Sequence, residues 1–494
     1  MSAASVTRSP NGAAPEVSGW KALPSAVERA LGLGLGLGLL GTVVVGALWP
    51  SFVWLLPLLL VGSAALIFIW SRPAYHLAAV LFGFVVVFDY SEGIQAQEVV
   101  FGLYYLSYLA GWFAYHTFVR RTVYVRGAID AAVLAYLIVA TASLALIPLF
   151  GNDPVVALSQ WTGVVVLGYY FPIKQAVARS PRVLASLLLV FGALVVVVTL
   201  RNFLLYYEAL QSAEALWQIM QNRARTNERQ IMVGLIGGLV FLLYYARSWP
   251  MKGAFVAFCF TLTAGVIAGQ SRAVWVSMVL ALGVMLMMIE RQQRVRLLAV
   301  VGGAAAMLLA VGFIAFSGIF EIILEGLATR FGSLGTAATQ DSSLVNRFFE
   351  WRVVLERVTH SPIFGLGLGA EYRHFSLIFN ATHVKHYVHN TYIGVLYRHG
   401  LLGLALFLVF FAGSFVRGLG TTRALRGIRT ESGAFAAAMA CTAALPALAL
   451  AAMTEGLMLN ADGVFVVMYP IAILAGIRQR SWSGQRAVPP SAPR

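Results

Sequence analysis

A long series of apolar segments, each close to the length that crosses a bilayer as a helix, dominates the sequence. The chain is 60% hydrophobic and 11% charged, whereas a soluble domain is about a quarter charged. We therefore predict an all-α polytopic membrane protein with about 12 to 14 transmembrane helices and one large extracytoplasmic loop that contains surface helices. The predicted spans lie near residues 31–48, 52–70, 75–88, 99–118, 128–149, 155–171, 183–200, 230–246, 253–269, 272–289, 297–316, 391–416, 433–453 and 463–477.

The distribution of basic residues predicts the orientation. With the amino terminus inside, most of the 35 lysines and arginines fall in the two tails and in alternate short loops, and few of the 20 acidic residues do. This agrees with the positive-inside rule and places both termini in the cytoplasm. The net charge of +15 then belongs to one membrane face, so we expect no nucleic-acid partner.

The same orientation predicts the domain organisation. Residues 1–30 form a disordered cytoplasmic tail, and residues 31–316 form a bundle of about 11 spans. This bundle carries an outer loop at 201–229. Residues 317–390 form the large extracytoplasmic loop, residues 391–477 the C-terminal spans, and residues 478–494 a second disordered cytoplasmic tail.

The large loop concentrates the polar chemistry of the second half of the chain. It carries five of the eight histidines among apolar neighbours, which points to it as the catalytic loop. Apolar residues recur at helical spacing from Leu344 to His360, which predicts an amphipathic surface helix that ends at Ser361-Pro362. The glycine-rich run 365–369 predicts a tight turn near the substrate, because it lacks the residues of a nucleotide-binding loop.

Arginines near the outer face are candidates for binding an anion. Arg272 opens a helix in a short outer turn, where a helix N-terminus favours phosphate; the alternative is an arginine that reaches lipid phosphates. Arg347 lies on the predicted surface helix, where it could instead form an exposed pair with Glu350. Arg223, Arg225 and Arg229 form a second outer basic group, for which a solvated face is the alternative.

His389 is the candidate general base. It adjoins a predicted helix start, for which Asn390 or Thr391 would make a suitable N-cap. A neutral imidazole is a natural base near neutral pH. The spacing of His383, His386 and His389 would let a helix present them to a metal, but no acidic or cysteine ligand adjoins them, so we expect no metal.

Five motifs together resemble the O-antigen ligase family. They are QSRAVW at 270–275, the Arg347 to Trp351 segment, SPIFGLG at 361–367, HNTY at 389–392 and GLLG at 400–403. The resemblance covers roughly residues 220 to 415, and O-antigen polymerases share much of it. It departs in span count, since ligases resemble a twelve-helix bundle and we count fourteen predicted spans, which weighs against a ligase relative to a polymerase.

The resemblance implies a multi-pass glycosyltransferase of the bacterial cell inner membrane, active on the periplasmic side in lipopolysaccharide biosynthesis. It implies an undecaprenyl-diphosphate-linked glycan as donor, a glycan or lipid A-core acceptor, and no cofactor or metal. Carried over by motif, Arg272 and Arg347 would bind the donor diphosphate and His389 would be catalytic. Arg223, Arg225 and Asn390 are possible supporting residues.

Two alternatives remain at this point. An O-antigen or exopolysaccharide polymerase would use the same inverting chemistry, in which arginines hold the diphosphate and His389 removes a proton from the acceptor hydroxyl. A polytopic transporter of lipid-linked glycans is an alternative of another class, but it predicts polar residues deep in the spans, which are nearly free of them.

Overall fold

The computed structural model describes residues 72–84, 96–211, 227–315, 342–376, 380–428 and 432–486, with a few isolated positions besides. The residues from Pro73 onward pack as one unit. The predicted tail at 1–30, the first two predicted spans, Arg223 and Arg225 lie outside the described residues.

A helix lies at every span predicted from residue 75 onward, which confirms the all-α prediction. In chain order the helices are α1 (Pro73–Phe82), α2 (Ala96–Ala114), α3 (Ala128–Ala142), α4 (Pro154–Val165), α5 (Tyr170–Arg179), α6 (Pro181–Gln211), α7 (Glu228–Tyr244), α8 (Trp249–Ala268), α9 (Arg272–Met288), α10 (Arg291–Ala315), α11 (Ser342–Val358), α12 (Thr391–Leu425), α13 (Ser432–Ala451) and α14 (Ala461–Arg486).

Seven helical segments within the described residues are long and apolar enough to cross a membrane, so the chain is a multi-pass membrane protein. The count of 12 to 14 spans stays a prediction. The seven segments are Ala128–Phe150, Pro154–Arg179, Pro181–Ala209, Trp249–Ala268, Thr391–Leu425, Ser432–Ala451 and Ala461–Ser481.

Helices α13 and α14 form the centre of the bundle. In their most apolar stretches 83% and 89% of residues are buried within the protein. Helix α13 is rich in alanine and packs against α7, α9 and α12, whereas α14 packs against α5. Small side chains allow helix backbones to approach closely without a gap, which favours packing inside a membrane.

Helix α12 is interrupted at Gly400, whose φ of 63° and ψ of −166° lie outside the helical region. The break leaves backbone groups on both sides without helical partners, and buried backbone groups must be paired. The segment 362–367 of the large loop supplies the missing bonds. Leu366 and Gly367 donate to the carbonyls of Tyr397 and Arg398, at 2.8 and 3.0 Å, and Leu401 and Leu402 donate to those of Pro362 and Ile363, at 2.8 and 3.2 Å.

The large loop contains a β-hairpin that the sequence analysis did not predict. Strands β1 (Tyr372–Ser376) and β2 (Ala381–Lys385) pair antiparallel, with His374 opposite His383. In β1 alternate residues are buried and exposed, which is the period of a strand. With five residues per strand, the pattern is too short to stand out beside the strong helical signals around it.

Three helices extend beyond the predicted boundaries. Helix α5 reaches Arg179, inside the predicted loop 172–182, and α6 continues to Gln211, inside the predicted outer loop 201–229. Helix α14 continues to Arg486, so residues 478–486 are helical rather than part of a disordered tail. Arginine and glutamine are good helix formers, so these helices do not end where the apolar run ends.

Candidate active site

Helix α11 turns one stripe of side chains toward the protein. Asn346, Glu350, Val354 and Val358 follow one another at a spacing of four and are all buried, as expected for residues on one helix face. Val354 and Val358 pack with Leu366, Tyr372 and Tyr397. The predicted surface helix is therefore present, and its packed face carries a fully buried carboxylate.

Glu350 binds the predicted catalytic histidine. Nδ1 of His389 lies 3.0 Å from Oε2 of Glu350 and 3.3 Å from Oε1. The hydroxyl of Tyr372 donates a further hydrogen bond to Oε1. Glu350 is 0% exposed, and His389 keeps about a third of its side chain exposed, so the imidazole lies between a buried anion and solvent.

Two opposing effects act on the ionisation of Glu350. Burial raises its pKa, but the hydrogen bond and charge of His389, with a hydrogen bond from Tyr372, more than offset this and hold the pKa below its usual 4.5. Burial, and then the charge of Glu350, raise the pKa of Tyr372 well above its usual value. Near neutral pH the carboxylate is charged, and the tyrosine is a neutral donor to it.

The backbone that carries His389 is fixed at the start of α12. Asn390 is the N-cap: its side chain accepts from the amide of Ile393 at 3.0 Å and donates to the carbonyl of Met453 at 3.0 Å. Thr391 donates its amide to the carbonyl of Ala452 at 2.7 Å. The predicted N-cap is confirmed, and it ties His389 to the turn that follows α13.

A second ion pair lies beside His389. The ring of Tyr387 meets that of His389 edge to face, with centroids 4.9 Å apart. The Tyr387 hydroxyl lies 3.4 Å from Oε2 of Glu455, and Oε1 of Glu455 lies 2.8 Å from Nη2 of Arg229. Burial, and then the charge of Glu455, raise the pKa of Tyr387 to about 12. Arg229 and Glu455, which lies in the turn after α13, are thus connected to His389 through Tyr387.

Arg347 and Arg272 occupy different positions relative to this group. Arg347 lies on α11 three residues before Glu350 and is partly exposed. Among the described ion pairs, Glu350 is paired with His389 rather than with Arg347, so the surface pair considered from sequence is wrong. Arg272 is the first residue of α9 and is also partly exposed.

The turn before α9 has a conformation unusual for its residues. Gln270 has a φ of 49°, in the left-handed region that favours glycine, and its side chain is buried. Its amide oxygen has no hydrogen-bond partner within the described residues. Strained backbone next to a polar group is a frequent feature of functional sites. Arg272 therefore begins α9 directly after a turn whose backbone conformation is energetically unfavourable.

The other histidines of the loop are dispersed. His383 lies on β2, so the three histidines at 383, 386 and 389 do not share a helix face. His386 donates from Nδ1 to the carbonyl of Gly369 at 3.3 Å, and His374 lies 3.2 Å from the amide oxygen of Asn346. Over the described ranges no group of three His, Cys, Asp or Glu residues could hold a metal ion.

A buried arginine forms hydrogen bonds that hold the segment before His389 in place. Arg398 on α12 donates from Nε to Oε1 of Gln160 at 3.1 Å and from Nη2 to the carbonyl of His386. Oε1 of Gln160 also accepts from the amide of Gly369 at 3.0 Å. The glycine run 365–369 does form a tight turn, with positive φ at its three glycines. These contacts fix the chain three residues before His389.

Sequence reasoning named His389 and Asn390 as candidates but did not name the residues that contact His389 in the structure. Glu350 had no clear local signal, because apolar residues at helical spacing such as Phe348 and Leu355 lie on the exposed face of α11. Glu455 had none, because its contacts with Arg229 and Tyr387 join residues far apart in the sequence. Tyr387 lies two residues before His389, but its contact with Glu455 joins residues 68 positions apart.

A comparison with known protein families gives a match. Residues 257–408 match the model of a family described as O-antigen ligase, and the matched range contains Arg272, Arg347, Glu350 and His389. This confirms the family resemblance drawn from the motifs. No curated protein matches the sequence.

Proposed function

We propose that this chain, whose residues 257–408 match the O-antigen ligase family model, transfers a glycan from undecaprenyl diphosphate to an acceptor hydroxyl. The match to this family supports a membrane glycosyltransferase of the ligase or polymerase type. The donor, the base and the diphosphate-binding residues are our proposal.

The contact between His389 and Glu350 carries this proposal. An ionised carboxylate can only accept hydrogen bonds, so the hydrogen of a neutral His389 lies on Nδ1. Nε2 then keeps its lone pair and is the nitrogen that can remove a proton from an acceptor hydroxyl. As that proton arrives, the buried charge of Glu350 stabilises the imidazolium that forms.

The two arginines would stabilise the leaving group. When the bond from the anomeric carbon to the diphosphate breaks, negative charge develops on the phosphate oxygens. Guanidinium groups keep their charge at any working pH and bind such oxygens through two parallel hydrogen bonds. Arg272 adds the N-terminal end of α9, where helix amides attract an anion.

Chain connectivity supports a shared membrane face for these groups. If α9 and α10 each cross the bilayer, the chain returns after α10 to the face on which Arg272 lies. That face then carries α11, the hairpin and His389. The excess of arginine and lysine in the opposite loops makes it the periplasmic face of the inner membrane. Attack from the side opposite the diphosphate would invert the anomeric centre.

The proposal is tested with purified protein, a lipid-linked glycan donor and an acceptor glycan. We expect His389→Ala, Arg272→Ala and Arg347→Ala each to abolish transfer while protein levels stay normal. Arg352→Ala is the matched control, because Arg352 lies on the exposed face of α11. Wild-type activity in all three variants would refute the site.

The product separates the remaining activities. A ligase adds one glycan to a foreign acceptor, a polymerase gives a ladder of repeat units, and both release undecaprenyl diphosphate. A transporter releases none.

A further inference from the structure

Two exposed apolar side chains project from the segment that repairs the break in α12. Ile363 and Phe364 are 57% and 60% exposed, although the glycine turn that follows them is buried. They lie beside Leu401 and Leu402, which are also exposed, because Leu402 donates its amide to the carbonyl of Ile363. The four side chains thus belong to one apolar surface that is continuous with α12.

The position of this surface along α12 gives its depth. From Leu401 to Val416 the helix is apolar, and Arg398 and Arg417 bracket that run. Sixteen helical residues span about 24 Å, close to the roughly 30 Å of a bilayer core. Leu401 and Leu402 therefore lie at one edge of the hydrocarbon, and Ile363 lies at the same depth.

The backbone of this segment can tolerate such a depth. Irregular backbone near lipid needs its polar groups paired. The amides of Leu366 and Gly367 and the carbonyls of Pro362 and Ile363 are paired with α12. Gly365 adds a bond to the carbonyl of Ser361 at 2.9 Å. The side chains of Ile363 and Phe364, which follow these paired groups or lie among them, are exposed and apolar.

We propose that Ile363 and Phe364 insert among the acyl chains of membrane lipids and anchor the catalytic loop to the bilayer. The anchored segment leads directly into the turn at Gly369, whose carbonyl binds His386 and whose amide binds Gln160. The anchor thereby sets the height of the nearby His389 above the membrane. The insertion does not depend on the proposed reaction.

The test places a fluorescent label at Phe364→Cys in protein reconstituted in phosphatidylethanolamine–phosphatidylglycerol vesicles. The native thiols Cys259 and Cys441 are buried, so dye-treated wild-type protein gives the background. Two matched positions are the references. Val409→Cys lies in the middle of α12 and is 49% exposed, and His360→Cys lies on the exposed end of the α11 region.

We expect lipids with a spin label on the upper acyl chain to quench the Phe364→Cys label at least half as strongly as the Val409→Cys label. Iodide in the buffer should quench it several-fold less than it quenches the His360→Cys label. Iodide quenching equal to that at His360→Cys would overturn the proposal. So would protection from both quenchers, which would mean that a second copy of the chain or another protein covers Phe364.

Discussion

Arg229 and Glu455 form an ion pair between the second residue of α7 and the turn that follows α13, with Nη2 and Oε1 2.8 Å apart. Their side chains are 13% and 25% exposed, so solvent screens the pair only in part. Glu455 also lies next to Tyr387, whose ring packs against His389. The pair therefore connects three distant parts of the chain beside the candidate base.

Removing both partners should cost less than the sum of the two single losses. We expect the losses of thermal stability in Arg229→Ala and Glu455→Ala to be non-additive, with a coupling of at least about 0.5 kcal/mol. A single substitution leaves a partly buried charge without its partner. The matched control is the pair Arg352 and Glu356 on α11, with side chains 78% and 67% exposed, where the coupling should be about 0.3 kcal/mol. Equal couplings in the two cycles would contradict the structural role.

The orientation of His389 should depend on the charge of Glu350. Glu350→Gln keeps the size of the side chain but removes the anion that fixes the tautomer and stabilises the imidazolium. We expect kcat for glycan transfer to fall about 100-fold or more, with little change in KM for the donor.

Glu356→Gln is the control for that substitution, because Glu356 lies on the same helix with an exposed side chain. It should retain wild-type transfer. Full activity in Glu350→Gln would remove the base mechanism proposed for His389.

Features that depend on residues close together in the sequence were predicted, and features that depend on distant residues were not. The helices, the amphipathic α11, and the cap at Asn390 follow from patterns within a few residues, and the structure bears them out. The extension of α6 and α14 did not follow, because helices end at backbone signals rather than at the end of an apolar run. The motif resemblance identified the family but not the partner of its histidine.

Tertiary contacts account for most of what was missed. The hydrogen bond between Glu350 and His389 joins residues 39 positions apart, and that between Arg398 and Gln160 joins residues 238 apart. No local periodicity encodes such a pairing. The hairpin was missed for a different reason, since five-residue strands within a polar loop give only a weak alternating pattern.

The break in α12 should require glycine at position 400. A Cβ built there would lie 2.1 Å from the carbonyl oxygen of Ile363, and the φ of 63° is unfavourable for any other residue type. We expect Gly400→Ala to destabilise the protein by about 1–3 kcal/mol or more and to displace segment 362–367. Thermal unfolding in detergent measures the first effect, and protease sensitivity of the loop measures the second.

Gly420, on the same helix, offers the matched control for that substitution. A Cβ at Gly420 meets nothing within 4 Å. Gly420→Ala should therefore be neutral or stabilise the helix by roughly 0.5–1 kcal/mol. A similar loss in both alanine variants would mean that α12 tolerates no substitution, rather than that the break needs glycine.

The free energy of unfolding should fall in two steps as the pH is lowered. The first step belongs to His374 and the second to Glu350. Burial, followed by the charge of Lys385, lowers the pKa of His374 below 6.5, so the folded state resists the proton that the unfolded chain takes up. The resulting loss of stability begins as the pH falls below 6.5.

The lowered pKa of Glu350 contributes stability that is complete above pH 4.5. This contribution is lost as the pH falls through the lower pKa that Glu350 has in the folded state. Thermal midpoints measured from pH 7 to 3 should show both declines, His374→Gln should lack the first, and Glu350→Gln should lack the second. A single decline unaffected by either substitution would contradict the buried contacts of both side chains.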